Sequence, residues 1–239
     1  MKPKTILITG ANGSIGFACV QKFLEQGYLV VAHYHTCDDR LKTLKTDKVV
    51  LIQGDLSCPQ EVKRVFAQAL EKCERLDALF NSAGMLKTAP SLEMMPLEDF
   101  DQVMNVNLRA AFQLSQLTLM HMKEHSGGRI INISSIGIKY GGNPISASYT
   151  ISKAAVESMT LSFAKAGAPH NVLVNVVRAG LTNTGFLKHN PSKNLEKRIE
   201  LIPVKRIAEP QEVASVVYFL ASPESSYISG SILTVAGGE

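Results

Sequence analysis

The chain is poor in cysteine and lacks the cysteine patterns that bind metals or build disulfide frameworks. Its four cysteines, Cys19, Cys37, Cys58 and Cys73, lie far apart in 239 residues. There is no CxxC pair and no Cys/His ligand spacing, so the sequence predicts no metal site. Reduced thiols are a simpler interpretation than disulfides, and they favour a reducing, cytoplasmic compartment.

Long apolar runs and strong charge are also missing. No hydrophobic stretch approaches the ~18 residues that a transmembrane helix needs, so we expect no membrane partner. The formal net charge is +4, and no block of lysine and arginine occurs of the kind that binds nucleic acid. The opening residues, MKPKTILITG, lead directly into an apolar run and leave no room for a signal peptide.

What the chain does contain is a regular alternation of short apolar runs and helical patterns. The predicted strands are Thr5–Thr9, Leu29–His33, Val49–Gln53, Ala78–Asn81, Arg129–Ile133, Leu173–Val177 and Ile232–Val235. The predicted helices, with apolar residues at three- and four-residue intervals, are Phe17–Gln26, Gln60–Cys73, Leu97–Glu124, Ser152–Ala166 and Gln211–Ala221. The strands are continuously apolar, as in strands that are buried on both faces. This alternation predicts an α/β fold with a doubly wound, Rossmann-like parallel sheet and helices on both faces.

We find no linker, composition break or repeat, so residues 1–239 are expected to form one domain. Segment 181–203 is the exception to the regular alternation. It is polar, contains Asn190-Pro191, and follows the sixth predicted strand. A polar segment of this length past the end of a strand indicates either a substrate lid or a disordered insertion.

The first predicted strand ends in a glycine-rich turn, TGANGSIG, from Thr9 to Gly16. Glycines at such a turn let the backbone bend sharply and approach a pyrophosphate, whose charge meets the N-terminus of the following helix. A tight turn without a ligand also favours glycine, so the motif alone is only moderately specific. The motif lies in the first strand–helix unit, which is where doubly wound sheets bind dinucleotides.

The run SASYTISKAAVESMTLSFAKA places Tyr149 four residues before Lys153 in a helical pattern. The spacing puts both side chains on one helix face, with Cβ atoms about 5–6 Å apart. An adjacent ammonium lowers the pKa of a phenol from about 10, so that the phenol can exchange protons with an alcohol or ketone. In isolation this spacing more often marks an amphipathic surface helix, so the catalytic hypothesis depends on the rest of the chain.

Taken together, these motifs resemble the short-chain dehydrogenase/reductase family over essentially the whole chain. The turn keeps Thr9, Gly10 and Gly16 of the family's T-G-x-x-x-G-x-G pattern, with Ser14 in place of the middle glycine. LFNSAG is similar to the family's N-N-A-G, and VNVVRAG is similar to V-N-x-x-x-P-G with Ala179 for the proline. The resemblance implies a nicotinamide dinucleotide held by Gly10, Asn12, Gly13, Ser14, Ile15, Gly16, Tyr34, His35, Asp55, Leu56, Asn81, Ala83, Gly84, Tyr149, Lys153, Gly180, Thr182 and Thr184.

The end of the second predicted strand bears on the choice between NAD(H) and NADP(H). An acidic residue there would bond a ribose 2′-hydroxyl and repel a 2′-phosphate. In this chain the family's acidic position falls at Tyr34 and His35 follows, so no carboxylate is available there. The resemblance therefore favours NADP(H), with His35 facing the 2′-phosphate, and a solvated histidine at a strand end is the alternative.

The resemblance also implies a catalytic set of Asn107, Ser135, Tyr149 and Lys153. In the family the asparagine holds a water that links the lysine to solvent, the serine positions the carbonyl, and the tyrosine exchanges the proton. The lysine lowers the pKa of the tyrosine and binds the nicotinamide ribose. Ser135 lies 14 residues before Tyr149, one more than is usual in the family, so Ser134 stays an alternative. The Asn-x-Ser-Ser pattern favours Ser135.

The implied activity is an NADP(H)-dependent transfer of hydride between nicotinamide and a carbonyl or secondary alcohol. The chain length and the YISG ending resemble the 3-oxoacyl-carrier-protein reductase type of fatty acid biosynthesis. A sugar, steroid-like or secondary-metabolite ketone is an alternative substrate.

Because Ser14, Ser82 and Ala179 depart from the family's patterns, a non-catalytic dinucleotide-binding sensor is the competing class. The C-terminal run resembles the family's dimer-packing elements and implies a homodimer or homotetramer.

Overall fold

In the computed structural model, which describes residues 3–73, 75–185 and 195–239, seven strands form one sheet. The strands are β1 (Thr5–Thr9), β2 (Leu29–Tyr34), β3 (Val49–Gln53), β4 (Ala78–Asn81), β5 (Gly128–Ser135), β6 (Val172–Ala179) and β7 (Ile232–Val235). Their order is β3-β2-β1-β4-β5-β6-β7, and all neighbouring pairs are parallel. The winding reverses between β1 and β4, which leaves a crevice at the carboxyl ends of these strands.

The helices cover both faces of this sheet. They are α1 (Ser14–Glu25), α2 (Pro59–Glu71), α3 (Leu97–Met104), α4 (Ala110–Glu124), α5 (Ala147–Gly167), α6 (Leu195–Glu200) and α7 (Pro210–Ala221). Among the described residues, no helix is both long enough and apolar enough to cross a membrane.

The core consists of two apolar layers, one on each face of the sheet. Along β1, Leu7 belongs to one layer, whereas Ile6 and Ile8 belong to the other, because successive side chains of a strand point to opposite faces. Helices α2, α4 and α5 complete the layer of Leu7, and α1 and α7 complete the layer of Ile6 and Ile8. The predicted doubly wound parallel sheet with helices on both faces is confirmed.

Several predicted elements differ from those observed. The pattern over Leu97–Glu124 predicted one helix, but a π-helical turn, Asn105–Arg109, separates α3 from α4. A π turn inserts one residue into the helical repeat, and the apolar periodicity on either side does not reveal it. Strands β5 and β6 also continue beyond their apolar runs, to Ser135 and Ala179, because they pair with each other there.

The segment expected to form a lid is described only in part, since residues 186–194 lie outside the described residues. On the N-terminal side of these residues, Thr182 forms an isolated parallel bridge with Ala208. On their C-terminal side, α6 leads to Val204, whose N–H donates to the Gly237 carbonyl oxygen at 3.2 Å. These contacts hold both described parts near the carboxyl ends of β6 and β7, and the lid itself stays a prediction.

His33, near the carboxyl end of β2, ties the sheet to the glycine turn. Its ring is buried, with Nδ1 accepting from the Gly10 N–H at 3.3 Å and Nε2 lying 3.0 Å from the Gly54 carbonyl oxygen. The bond from Gly10 requires the neutral ring with its proton on Nε2, since an imidazolium cannot accept from Gly10. Burial lowers the pKa of His33 from 6.5 to about 4. The glycine turn is thus held by a histidine that is neutral at about pH 7.

We expect the free energy of unfolding to fall as the pH drops from about 6.5 towards about 4. A histidine whose pKa is lowered by folding binds protons more weakly in the folded chain, so acid favours the unfolded state within this window. Between about pH 7 and about pH 5 the loss from His33 amounts to about 2 kcal/mol.

Urea unfolding of the wild type and of His33→Gln at these two pH values measures this contribution. Glutamine can accept from Gly10 and does not titrate, so the variant should lose this part of the pH dependence. An equal pH dependence in both proteins would show that His33 is not the titrating group.

Candidate active site

A cleft of about 1350 Å³ lies at the carboxyl ends of the central strands. Such a volume exceeds what a drug-sized ligand needs, so the cleft can hold a larger molecule or two smaller ones. It brings together most of the residues that sequence analysis assigned to the site. These are Gly10, Asn12, Gly13, Ser14, Ile15, Gly16, Tyr34, His35, Ala83, Gly84, Ser135, Tyr149, Lys153, Gly180, Thr182 and Thr184.

Four predicted site residues lie outside the lining of the cleft: Asp55, Leu56, Asn81 and Asn107. The side chain of Leu56 is buried in the apolar core, and the Asp55 carboxylate accepts a hydrogen bond from the Ser57 N–H. Asn81 is buried behind the cleft, where its amide donates to Asn132 Oδ1 at 2.8 Å and joins β4 to β5. Asn81 is therefore a structural link in the sheet, as well as a neighbour of the turn at Ala83 and Gly84.

The glycine turn is shaped for close approach of another backbone or of a ligand. Gly10 has φ +62°, and a Cβ there would lie 2.8 Å from Ala83 Cα, while a Cβ on Gly16 would collide with the Gly10 carbonyl oxygen. Gly13 caps α1 without any side-chain hydrogen bond, so the first N–H groups of the helix are left to a ligand in the cleft. A pyrophosphate fits this turn, because uncapped N–H groups and the helix dipole both favour an anion.

Ser14, which stands where the family pattern has glycine, joins two other segments to the turn. Its Oγ accepts from Arg40 Nη1 and from the Gly185 N–H, both at 3.3 Å. The Arg40 N–H in turn donates to Asn12 Oδ1 at 3.1 Å, so the loop after β2 is held against the turn. The serine is thus accommodated by hydrogen bonds.

The other two departures from the family pattern also leave the site intact. The N–H groups of Ser82 and Ala83 both donate to Thr9 Oγ1 at 3.1 Å, which joins the end of β1 to the turn after β4. Ala179 is buried and continues the pairing of β6 with Ser135 of β5 and Val235 of β7. None of the three departures disrupts the cleft.

Arg40 is a cleft residue that sequence analysis missed. It lines the cleft together with Tyr34, His35 and Asp39. It lies six residues beyond the end of β2 in an irregular loop, and no residue pattern relates such a position to the glycine turn.

Tyr149 and Lys153 lie in the first two turns of α5, which begins at Ala147. The Lys153 side chain is 3% exposed, with Nζ 5.7 Å from the centroid of the Tyr149 ring and 3.2 Å from the Ile133 carbonyl oxygen, to which it donates. A hydrogen bond joins the side chains of Tyr149 and Ser135. The helix therefore places a phenol and an ammonium beside the end of β5, as the four-residue spacing predicted.

The electrostatics of this group differ from the expectation in one respect. Burial raises the pKa of Tyr149, and the hydrogen bond with Ser135 lowers it in part. Burial also lowers the pKa of Lys153 to about 8. We expected Lys153 to lower the phenol's pKa, but in the structure burial is the larger influence and Ser135 opposes it. The ammonium directs its hydrogen bond to Ile133 instead.

The structure separates the two serines at the end of β5. Ser134 is 2% exposed, and its Oγ donates to Glu157 Oε1 at 2.7 Å. Both serines line the cleft, but it is Ser135 that bonds Tyr149, and its Oγ accepts from the Gly137 N–H at 3.2 Å. Neighbouring residues of a strand point in opposite directions, so only one of the two hydroxyls can meet the phenol. The geometry favours Ser135, in agreement with the Asn-x-Ser-Ser pattern.

Asn107 lies in the π-helical turn, 2% exposed, behind the wall of the cleft. Its Oδ1 accepts from the Met85 N–H at 2.8 Å, and its Nδ2 donates to the Met85 carbonyl oxygen at 2.9 Å and to Ser152 Oγ at 3.0 Å. A Cβ on Gly84 would stand 3.5 Å from both Asn107 Oδ1 and Lys153 Nζ, so these two groups flank the same glycine. The expected role of Asn107 in holding a water beside Lys153 stays a prediction.

Apolar residues also line the cleft, interspersed with the polar residues Thr88, Asn143 and Ser146. Leu86, Ile136, Ile145 and Leu181 line it, and Arg198 of α6, which forms an ion pair with Glu239, stands at its edge. Across the described ranges, no group of three or more His, Cys, Asp or Glu side chains is placed to hold a metal ion. Apolar side chains beside hydroxyl donors suit a molecule with one polar reacting group on an apolar body.

Known proteins resemble the chain over its full length. A family model described as enoyl-(acyl carrier protein) reductase matches residues 10–239. The 3-oxoacyl-[acyl-carrier-protein] reductase FabG of Thermotoga maritima is 37% identical, over 100% of this chain and 98% of that protein. The 3alpha-hydroxysteroid dehydrogenase of Mediterraneibacter gnavus is 34% identical, over 99% of this chain and 97% of that protein. The hydroxynaphthalene reductase-like protein Arp2 of Metarhizium acridum is 32% identical, over 98% of this chain and 94% of that protein.

These full-length similarities agree with the fold and with the arrangement of the cleft. The chain belongs to the short-chain dehydrogenase/reductase family and is an oxidoreductase that acts on carbonyl and alcohol groups with a nicotinamide cofactor.

Proposed function

We propose that the protein uses NADP(H) to reduce a ketone carried on an apolar body, with Tyr149 as the proton donor. The observation that carries this proposal is the placement of Tyr149 and Ser135 in one cleft, with the buried ammonium of Lys153 5.7 Å from the centroid of the Tyr149 ring. Two hydroxyls that converge in a cleft can both bond one carbonyl oxygen, which is the geometry that general acid catalysis needs.

A bound nicotinamide would supply the hydride. Ser135 would orient the carbonyl oxygen, and Tyr149 would give it a proton as negative charge develops there. Lys153, with a pKa of about 8, is mostly cationic at about pH 7 and would stabilise the phenolate that remains. Because the ammonium is buried, little water screens this interaction.

Arg40 supports NADP(H) as the cofactor. Its guanidinium lies on Ser14 in the part of the cleft that Tyr34 and His35 line. A guanidinium can offer paired N–H groups to a phosphate, and it attracts the 2′-phosphate that distinguishes NADP(H). Asp39 also lines this part of the cleft and would favour the ribose 2′-hydroxyl of NAD(H). The cofactor preference therefore depends on which of two neighbouring side chains faces the ribose.

The apolar residues that line the cleft support a substrate with an apolar body. The names of the three relatives share a carbonyl or hydroxyl group on an apolar skeleton: a 3-oxoacyl chain, a steroid and a naphthalene. A carrier-bound 3-oxoacyl thioester, as in fatty acid biosynthesis, is the first candidate for this chain. A steroid-like or polycyclic ketone is the second, since Leu86, Ile136 and Ile145 can also pack against a flat ring system.

We also propose a cytoplasmic homo-oligomer, a dimer or a tetramer. Large apolar side chains are exposed on α4 and α5, where a second copy would cover them: Phe112, Met120, Ile151 and Leu161. The four cysteines are free, which supports a reducing compartment.

Tyr149→Phe should lower kcat by roughly 10²-fold or more, the usual contribution of a general acid. NADPH binding should change little, because the ring remains and only the hydroxyl is lost. Absorbance of NADPH measures turnover on a panel of 3-oxoacyl thioesters, steroid ketones and polycyclic ketones, and fluorescence titration measures cofactor binding.

Tyr140→Phe is the matched control for this experiment. Tyr140 is exposed and lies outside the lining of the cleft, so its hydroxyl should be dispensable. If Tyr149→Phe retains full turnover, Tyr149 is not the proton donor. Tight NADPH binding by the wild type without turnover on any carbonyl of the panel would refute the proposed substrate class.

Arg40→Gln should raise the Kd of NADPH by about 10- to 100-fold, as expected for the loss of a hydrogen bond between charged groups. The Kd of NADH should stay the same, because NADH has no 2′-phosphate. Lys42→Gln is the control, since this nearby lysine pairs with Asp38 at 3.0 Å and does not line the cleft. Wild-type protein that binds NADH more tightly than NADPH would reverse the proposed preference.

A further inference from the structure

A buried polar group lies directly behind Ser135. It consists of Ser134 on β5, Glu157 on α5 and Arg178 on β6. Glu157 is 7% exposed, and its carboxylate accepts from Ser134 Oγ at 2.7 Å, from Arg178 Nε at 2.8 Å and from Arg178 Nη2 at 2.6 Å. The arginine thus holds the carboxylate by two parallel N–H bonds, the strong geometry for this pair.

The fold brings these three residues together by strand register and helical spacing. Ser134 is the register partner of Arg178 in the parallel pair of β5 and β6. Glu157 lies four residues after Lys153, which itself lies four residues after Tyr149. One face of α5 therefore presents the phenol, the ammonium and the carboxylate in a row along the end of β5.

Ser134 connects this charged pair to the site. While its Oγ donates to Glu157, it also accepts from the Ser135 N–H at 2.6 Å. Ser135 in turn carries the hydroxyl that bonds Tyr149. The orientation of Ser135 is therefore set on one side by its pairing in the sheet and on the other by a serine that a buried ion pair holds.

We propose that Ser134 and Glu157 are positioning residues for the reduction. Arg178 holds Glu157, Glu157 holds the Ser134 hydroxyl, and Ser134 fixes Ser135 where its hydroxyl meets Tyr149. This inference rests on the proposed function, because it depends on a catalytic task for Ser135 and Tyr149. A purely structural ion pair would tie α5 to β6 and leave the properties of the phenol unchanged.

A specific consequence follows for Tyr149. Its hydrogen bond with Ser135 lowers the pKa of the phenol, so a loosened Ser135 should leave that pKa higher. Among the described residues, Lys153 also lies beside the ring: its ammonium donates to the Ile133 carbonyl oxygen, and its backbone carbonyl oxygen lies 3.5 Å from Ser134 Oγ. The contact with Lys153 is long and involves only its backbone, so we expect a change in Ser134 to reach Tyr149 mainly through the 2.6 Å bond from the Ser135 N–H.

The first test is a kinetic cycle of Ser134→Ala, Ser135→Ala and the double variant. Ser134→Ala should lower kcat about tenfold, the scale of a modest misplacement of a reacting group, with KM for the cofactor unchanged. In the Ser135→Ala background the same change should have almost no further effect, because the residue through which it acts is already gone. Multiplicative effects in the double variant would overturn the proposal.

The controls separate this effect from a general loss of packing. Ser225→Ala removes another fully buried serine hydroxyl, which bonds carbonyl oxygens at the end of α7, and should leave kcat unchanged. Ser134→Thr retains the hydroxyl and should restore most of the kcat that Ser134→Ala loses. A kcat loss of the same size in Ser225→Ala would overturn the positioning role.

The second test does not depend on turnover. Ultraviolet difference titration of tyrosinate, with the spectrum of Tyr149→Phe subtracted, reports the pKa of Tyr149 directly. Ser134→Ala should move this titration to higher pH, and an unmoved titration would overturn the proposal. If the wild type reduces no carbonyl, the proposed function fails and this titration alone decides whether Ser134 positions Ser135.

Discussion

The packing of α5 against the carboxyl end of β5 is the contact on which the site depends. Lys153 donates to the Ile133 carbonyl oxygen, Ser135 meets Tyr149, and Ser134 donates to Glu157. Each of these bonds joins the helix to one of three consecutive strand residues. A shift of the helix by one residue would break them together, because residues one apart lie on different faces of a helix. The apolar layer of Val156, Met159 and Phe163 holds the helix in this register.

This arrangement buries several polar groups that a more stable core would lack. Lys153, Glu157, Asn107 and His33 are all nearly inaccessible to solvent. Each has hydrogen-bond partners, which offsets much of the cost of removing it from water. For Lys153 the offset is incomplete, as its pKa of about 8 indicates. Lys153 thus occupies a nearly dry environment beside the half-buried Tyr149, in which its fixed charge interacts strongly with a transferred proton.

Much of the fold followed from the apolar pattern, and much of the site from short motifs. Thr5–Thr9 and Ile232–Val235 begin and end where the apolar runs do. The pattern did not reveal the π turn at Asn105–Arg109, because one inserted residue leaves the periodicity on either side unchanged. The motif that assigned Leu56 to the cofactor did not show that its side chain packs in the core, and its contact with the cofactor stays a prediction. A motif identifies a position along the chain, whereas the burial of a side chain depends on which residues the fold packs against it.

The sequence by itself determined the elements with local causes: the strands, most of the helices, the glycine turn, and the one-turn spacing of Tyr149 and Lys153. These depend on residues within a few positions of one another, and local geometry constrains them. Only the tertiary structure decided which serine meets the phenol, that Arg40 lies on Ser14, and that Glu157 stands behind Ser134. Arg40 and Ser14 are 26 residues apart, and Ser134 and Glu157 are 23 apart. Strand order and helix packing create such contacts, and no local pattern of residues encodes them.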